Sequence, residues 1–420
     1  MTPVTPRESN WAGNVTYSAA RLHRPTTPAE LQQIVAHSDR AHALGTRHSF
    51  NRVADTAGDL IDVTGLPVTV EVDSSAGQVR VSGGTTYGEL ATRLHTHGLA
   101  LPNLGSLPHI SVAGACATGT HGSGDGNGCL ATSVSSLELV TATGDVVEIS
   151  RGTDHFAGAV VSLGALGVVT ALTLDVQPAY EVTQHVYDDL PAHELATDLD
   201  GVFASAYSVS VFTRWRGDTL DQVWLKQRAG EDPPGDGWRG TTKAETPRHP
   251  VPGVPAAQAT QQGTPGPWHQ RLPHFRADAT PSAGDELQSE YLVPRRHGVD
   301  AIAAVASMRE SVAPVLQISE LRTVAADDLW LSPGYARDSL ALHFTWVPDE
   351  HTVLPVVRAL EERLAPFAAR PHWGKVFTTS RQDLWQLFER APSFVDLMHH
   401  YDPDGTFRNP MLDEHFPVRT

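Results

Sequence analysis

The chain has 420 residues, 40% hydrophobic and 19% charged, which suits a globular protein of two or three domains with a sizeable core. Its 31 Lys and Arg against 48 Asp and Glu leave a formal charge of −17. That excess repels phosphate backbones and anionic lipid, and argues against nucleic acid or a membrane surface as partner.

In chain order, "RPTTPAELQQIVAHSDRA" predicts a helix capped by Thr27, with Pro28 in its first turn and an apolar stripe of Leu31, Ile34 and Val35. A short strand "AHALG" follows. "GDLIDVTGL" predicts another strand, and "VTVEVDSSAGQVRVSGG" a hairpin turning at Ser74–Gly77. "TYGELATRLHTHGL" reads as a helix ended by Gly98. A second hairpin turns at Thr143–Asp145, and "GVVTALTLDVQPAY" supplies a further strand. From about Tyr180 strands dominate: "YSVSVFTRW", "DQVWLKQR", "ELQSEYLVP", "VLQISELRTV" and "LALHFTWV". Helices are expected near Gly298–Ser311 and His351–Leu364. The Pro/Gly-rich excursion 229–272 reads as a lid or a disordered insert. The end of the chain reads as a loop with one short turn.

No run of about 18 apolar residues is present, and the N-terminus lacks the apolar centre of a signal peptide. Cys116 and Cys129 form neither a disulfide framework nor a zinc spacing, so two reduced thiols in a cytoplasmic protein are expected. The 21 histidines include no H-E-x-x-H or comparable ligand spacing, and no metal is expected.

Two features point to chemistry. The segment Leu101–Leu130, "LPNLGSLPHISVAGACATGTHGSGDGNGCL", is rich in Gly, Ser and Thr; bare backbone of this kind approaches ligands closely and offers N–H groups to anions. The fingerprints G-x-G-x-x-G and G-x-x-x-x-G-K-[ST] are both absent, so a diphosphate held here needs another architecture. The second feature is strand parity, since residues two apart share a face. Leu342, Phe344 and Trp346 fall on one side of their strand, His343 and Thr345 on the other. Glu320 shares a face with Arg322, and Gln288 with Glu290. A water-facing sheet produces the same pattern. The Glu–x–Arg pair, however, is flanked by Leu316, Ile318 and Val324 on its own face, which points to a site enclosed by protein.

"LGTRHSFN", followed by "LPNLGSLPHISVAGACATGTHGSG", "ELQSEYL", "SELRTVAAD", "HFTW" and "RPHWGKVF", resembles the vanillyl-alcohol oxidase family of flavoproteins, and within it the branch that oxidises alditols. The resemblance implies an α+β protein. A PCMH-type FAD-binding domain of two small subdomains would cover 1–178 and be joined by the tail 400–420. A substrate domain, 179–399, would lay a large antiparallel sheet, flanked by helices, over the flavin ring.

The resemblance also implies roles for residues. The FAD pyrophosphate would rest on backbone N–H groups of Thr46, Arg47, His48 and Ser49 and of Thr118, Gly119, Thr120 and His121. Gly45, Ser106, Ser111, Gly114 and Val168 would line the cofactor. His48 would carry FAD through one covalent bond to its C8α methyl; a neutral imidazole near pH 7 suits that role. The position where some relatives carry a second, cysteinyl bond corresponds to Ser106, and Cys116 is out of register with it. Ser106, Gln288, Glu320, Arg322, Thr345 and Lys375 would bind a polyol, with Lys375 and Arg322 polarising or deprotonating its hydroxyl and His343 sharing the proton; the pattern leaves open which of them is the base. The implied reaction converts a terminal CH–OH to the aldose and O2 to H2O2, and Gly105 would leave room for O2 beside the flavin. The partners are then a small polyol and O2, acting on a monomer. An aldonolactone oxidoreductase with the same covalent FAD is the alternative.

Overall fold

The computed structural model describes residues 8–259, 263–278 and 285–417. Residues 1–7 and 418–420 of the expected cofactor domain and its tail, 260–262 of the excursion, and 279–284 lie outside the described residues. Helix Pro28–Ala36 begins where expected: the Thr27 hydroxyl accepts from the Glu30 N–H, and Leu31 and Val35 are fully buried. It stands against a parallel sheet of Arg21–His23, Asp59–Asp62 and Ala41–Leu44. The C-terminal segment returns to this layer. Ala41 N–H donates to Thr406 O, and Phe407 joins the core formed by Leu31, Val35 and Ile61.

Both expected hairpins form, Val70–Asp73 with Gln78–Ser82 and Val134–Val140 with Val146–Ser150. Strand Val168–Asp175 runs between them and completes a five-stranded antiparallel sheet. Helix Tyr87–Thr96 carries a reciprocal Thr86–Glu89 capping box and stops at Gly98, whose φ of +72° suits glycine.

Among the described residues the second half forms a nine-stranded antiparallel sheet. One face packs on helices. Leu195, Leu199 and Val202, Ala301 and Val305, and Val353, Val357 and Leu360 meet Val209, Val211, Leu225, Leu321, Leu342 and Phe344. Burying that much apolar surface fixes the register, because a one-residue slip would turn every polar side chain of the other face inward. Strand Glu181–Pro191 and helix Ala192–Phe203 were not expected from the sequence. The helix has no side-chain cap and breaks at Asp198, where φ is −149°, so its periodicity is blurred. The single helix expected over Gly298–Ser311 is two, Gly298–Ala306 and Arg309–Val312. Helices Arg381–Leu387 and Ala391–Tyr401 are further additions, and the end of the chain closes in helix Pro410–His415.

Parity needs one correction. A bulge between Leu316 and Ile318 shifts the register, so Leu316 joins the helix-side core with Leu321, whereas Ile318 stays with Glu320 and Arg322. The excursion is packed in part: Thr242–Lys243 and Gly266–Pro267 add to strand Glu181–Pro191, Trp268 is fully buried, and Pro250 and Val251 reach the cavity described next, as a lid would, while its turns at 229–233 and 252–255 are exposed. Among the described residues no helix is long and apolar enough to cross a membrane.

Candidate active site

The polar face of the large sheet closes over the loops of the N-terminal half and leaves a cavity between them. Its first wall is backbone and small side chains: Gly45, Thr46, Arg47, His48, Ser49, Ser111, Gly114, Thr118 and Thr120. A Cβ at Gly45 or Gly114 would come within 2.5 or 2.8 Å of Ser111 Oγ, so glycine keeps this wall open. Arg47 adopts the left-handed conformation (φ +66°), uncommon for a side-chain-bearing residue, and is held there by ion pairs to Glu8 and Asp62. The turn places His48 between Trp11, which stacks on it at 5.3 Å, and the cavity. Burial, aided by His109, lowers His48 to about 4, so its imidazole is neutral at pH 7. Its Nδ1 is buried without a hydrogen-bond partner. A neutral, unpartnered ring nitrogen beside a wall of free backbone fits a covalently held flavin nucleotide.

Two residues expected at the cofactor sit elsewhere. Gly119 does not line the cavity. It ends helix Val112–Ala117 with φ +66°: its N–H donates to Cys116 O and that of Thr120 to Ala115 O, the pair of bonds that closes a helix C-terminus on glycine. Val168 is fully buried among Leu31, Val35 and Phe407, and strand alternation gives the cavity to Val169 instead.

The opposite wall is charged. Glu290, only 2% exposed, accepts from Arg322 Nη2 and, at 2.7 Å, from Lys375 Nζ; His121 Nε2 lies 3.3 Å away. Burial pushes the Glu290 carboxyl up, but Lys375 and Arg322 outweigh it and hold the group well below the usual carboxylate range. Burial, opposed by Glu290, lowers the Lys375 ammonium. Lys375 Nζ also donates to His343 Nδ1 at 2.7 Å, and His343 Nε2 bonds Thr345 Oγ1 at 3.1 Å. An ammonium can only donate, so the His343 proton resides on Nε2. Burial and Lys375 lower His343 to about 4. His343 is therefore neutral with both nitrogens engaged, which removes it as a free proton acceptor while Lys375 is charged.

Glu320 is also buried. Its Oε1 accepts from His274 Nε2 at 2.7 Å and lies 3.6 Å from Arg322 Nε. Burial pushes its carboxyl up; Arg322 and His274 overcome this and hold it far below the usual range. Its Oε2 has no hydrogen-bond partner among the described residues. Arg322 Nη1 approaches Ser106 Oγ at 3.4 Å, and Gln288 lines the same wall.

The two walls are stapled together. Asn51 Nδ2 donates to Trp373 O and Lys375 O, both at 2.8 Å, and Phe50 N–H to Gly374 O at 2.8 Å. "HSFN" and "HWGK", far apart in the chain, thus form one unit. The structure therefore brings together Ser106, Gln288, Glu320, Arg322, His343, Thr345 and Lys375 as expected. Glu290 was placed on a strand face with Gln288 but given no role, and His274, His372 and Lys226 were not singled out. The shared face was the signal for Glu290; the other three had none in local pattern. Cys116 and Cys129 are free and buried, and burial pushes the Cys116 thiol up to about 12.

Residues 19–150 match the family model described as FAD binding domain, and 285–415 that of D-arabinono-1,4-lactone oxidase. The chain is 55% identical to alditol oxidase of Streptomyces sp., over 96% of its own length and 97% of the relative's. It is 30% identical to L-gulono-1,4-lactone dehydrogenase of Mycobacterium tuberculosis, over 97% and 98%. In fold it resembles cholesterol oxidase from B. sterolicum (TM-score 0.81, 14% identity, 99% of each chain) and chitooligosaccharide oxidase (0.76, 14%, 98% and 94%). An FAD-binding domain, an antiparallel cap and these relatives establish that the chain is an FAD-dependent oxidoreductase and belongs to the alditol oxidase branch of the vanillyl-alcohol oxidase family.

Proposed function

We propose that the protein oxidises the terminal CH–OH of an alditol such as xylitol or sorbitol to the aldose, with O2 reduced to H2O2. The observation that carries this is the charge state of the substrate wall. Arg322 and Lys375 are balanced by the two carboxylates Glu290 and Glu320, so among the described residues this wall carries no net positive charge for an anionic substrate. Glu320 Oε2 remains as an unshared acceptor, and Ser106 and Thr345 add hydroxyls. An acceptor of this kind wants a hydroxyl, and a site built for hydroxyls discriminates strongly against analogues lacking them.

Bound along the glycine-lined wall, FAD supplies the two-electron oxidant for the carbinol carbon. The chain's own residues do the rest. Lys375 in its neutral form, which burial favours, donates its two N–H groups to Glu290 and His343 and turns its lone pair on the reacting hydroxyl, taking that proton as the carbinol carbon is oxidised. Arg322, held by Glu290, stabilises the charge that develops on the oxygen. Glu320, Ser106, Gln288 and Thr345 orient the polyol chain. His48, through its unpartnered Nδ1, holds FAD by a single covalent bond; Cys116, buried against Tyr87, is not placed to add a second.

We assign cofactor binding to 1–178 with the tail 400–420, and substrate binding to 179–399. The free buried thiols suit the cytoplasm. Among the described residues only scattered valines (Val68, Val146, Val254) are exposed as large apolar side chains, which suits a monomer. The lactone reading draws on the match over 285–415, but a lactone carbonyl needs a donor where Glu320 presents an acceptor. Peroxide release with a panel of polyols against L-gulono-1,4-lactone separates the two: faster turnover of the lactone overturns the alditol reading. Acid precipitation should leave yellow colour in the pellet, and His48→Ala should release it to the supernatant.

A further inference from the structure

Behind the substrate wall lies a buried lysine that the reaction described above does not use. Lys226, 1% exposed on strand Thr219–Arg228, does not line the cavity. Among the described residues it makes no ion pair. Its Nζ donates to Leu272 O and, at 2.9 Å, to His274 Nδ1. An ammonium buried without a carboxylate is costly, and its retention needs a reason. His274 does line the cavity. Its ring is held edge-on by Phe212 and Trp224 at 5.6 and 5.2 Å, its backbone N–H donates to Ser106 O, and its ring Nε2 lies 2.7 Å from Glu320 Oε1.

As an ammonium Lys226 can only donate, so Nδ1 of His274 accepts, and the ionised Glu320, which can only accept, favours the same form. The ring proton is then on Nε2 and is spent on Glu320 Oε1. Without Lys226 only Glu320 opposes the Nδ1–H form, which would turn a bare lone pair on a carboxylate oxygen. Burial, opposed by Glu320, brings the Lys226 ammonium down to about 7, and burial with the Lys226 charge keeps His274 neutral, at about 4.

We propose that Lys226 and His274 are positioning residues for Glu320. Lys226 locks His274 as its Nε2–H tautomer, which pins Oε1 of Glu320 and presents Oε2 as the acceptor for a substrate hydroxyl. This rests on the alditol reading for the identity of the hydroxyl, but not for the tautomer.

Two measurements test it. Histidine 15N NMR of the holoenzyme, with His274 assigned by its loss in His274→Gln, reads the tautomer with no substrate present. The native protein should show Nε2–H, and Lys226→Met should show Nδ1–H or a mixture. In kinetics with xylitol, Lys226→Met should lose about 10- to 100-fold in kcat/KM, the worth of a charge-assisted hydrogen bond, mainly through KM. His274→Gln keeps a donor for Glu320 and an acceptor for Lys226, and should recover most of what His274→Leu loses. A purely structural pair would lower melting temperature without moving either the tautomer or KM selectively. An unchanged tautomer in Lys226→Met overturns the proposal, as does an unmoved KM. Should Lys226→Met fail to fold, the His274→Gln and His274→Leu pair decides: equal losses overturn it. If the native enzyme turns over no polyol, the alditol reading fails while the tautomer result still decides the lock.

Discussion

The two walls of the cavity solve opposite problems. The wall around His48 is made of glycine, small hydroxyls and backbone N–H, with a neutral imidazole and little charge facing inward. The wall around Glu290 buries two carboxylates and two cations in one chain of contacts, none longer than 3.6 Å. The first needs close approach, which any side chain would obstruct. The second needs groups whose charge and direction are fixed before a substrate arrives, which only a rigid, strand-borne network provides. Mutations should therefore behave differently on the two sides.

The largest effect is expected on the charged side. Lys375→Met should lower kcat/KM by about 10²- to 10⁴-fold, the usual worth of a positioned proton-handling group. Flavin content should stay near native, and a parallel loss of flavin would blur the division between the walls. Glu290→Gln should come next. It leaves Arg322 and Lys375 buried without their shared counter-ion, and breaking such a pair costs about 3–5 kcal/mol of stability. A denaturation midpoint within error of native would show that solvent, not Glu290, compensates the two cations.

Acidification sharpens the contrast further. His274 and His343 stay neutral to about pH 4 in the folded protein and charge near 6.5 when unfolded. Between those values the unfolded chain takes up protons the native protein refuses. Stability is therefore present above pH 6.5 and lost as pH falls toward 4, by roughly 3 kcal/mol for each group. The low carboxyls of Glu290 and Glu320 act in the same direction, but below about pH 4.5. The melting temperature should drop across pH 6.5–4, and His274→Gln should flatten that slope; a flat native profile would refute the buried neutral imidazoles. The smallest effect belongs to the open wall. Gly105 has room for a Cβ, with Ile110 Cδ1 at 3.6 Å and His121 O at 3.9 Å, but a leucine would reach into the cavity. Gly105→Leu should slow reoxidation by O2 roughly tenfold while anaerobic reduction by polyol persists. Equal oxygen kinetics would remove Gly105 from the oxygen path.

Much of the fold was legible because local physics is strong where it was read. Thr27–Pro28 and Gly98 mark helix ends by hydrogen bonding and φ alone. The alternation in "LALHFTWV" assigned two faces that the structure keeps. Legibility failed where tertiary packing overrides local pattern. The bulge that turns Leu316 away from Ile318, the broken helix at Asp198 and the packed part of the excursion after Ala229 have no signature within a few residues. Val168 was placed at the cofactor when its neighbour Val169 faces the cavity, a one-residue error that inverts a strand side chain. Gly119 was read as a ligand contact when its φ closes a helix.

The sequence by itself determined the kind of chemistry: His48 in a glycine loop, a stretch of bare backbone, and polar pairs on strands whose other face is apolar. These are properties of residue type and spacing, which survive any arrangement of the parts. Only the tertiary structure decided which groups are charged and what each one faces. Glu290 became the hub, His343 a neutral link, and Lys226 the hidden end of a row reaching Glu320. Those outcomes depend on burial and on partners as far as 169 residues away, the separation of Glu290 and His121, and a carboxylate or imidazole has no fixed charge until its surroundings are set.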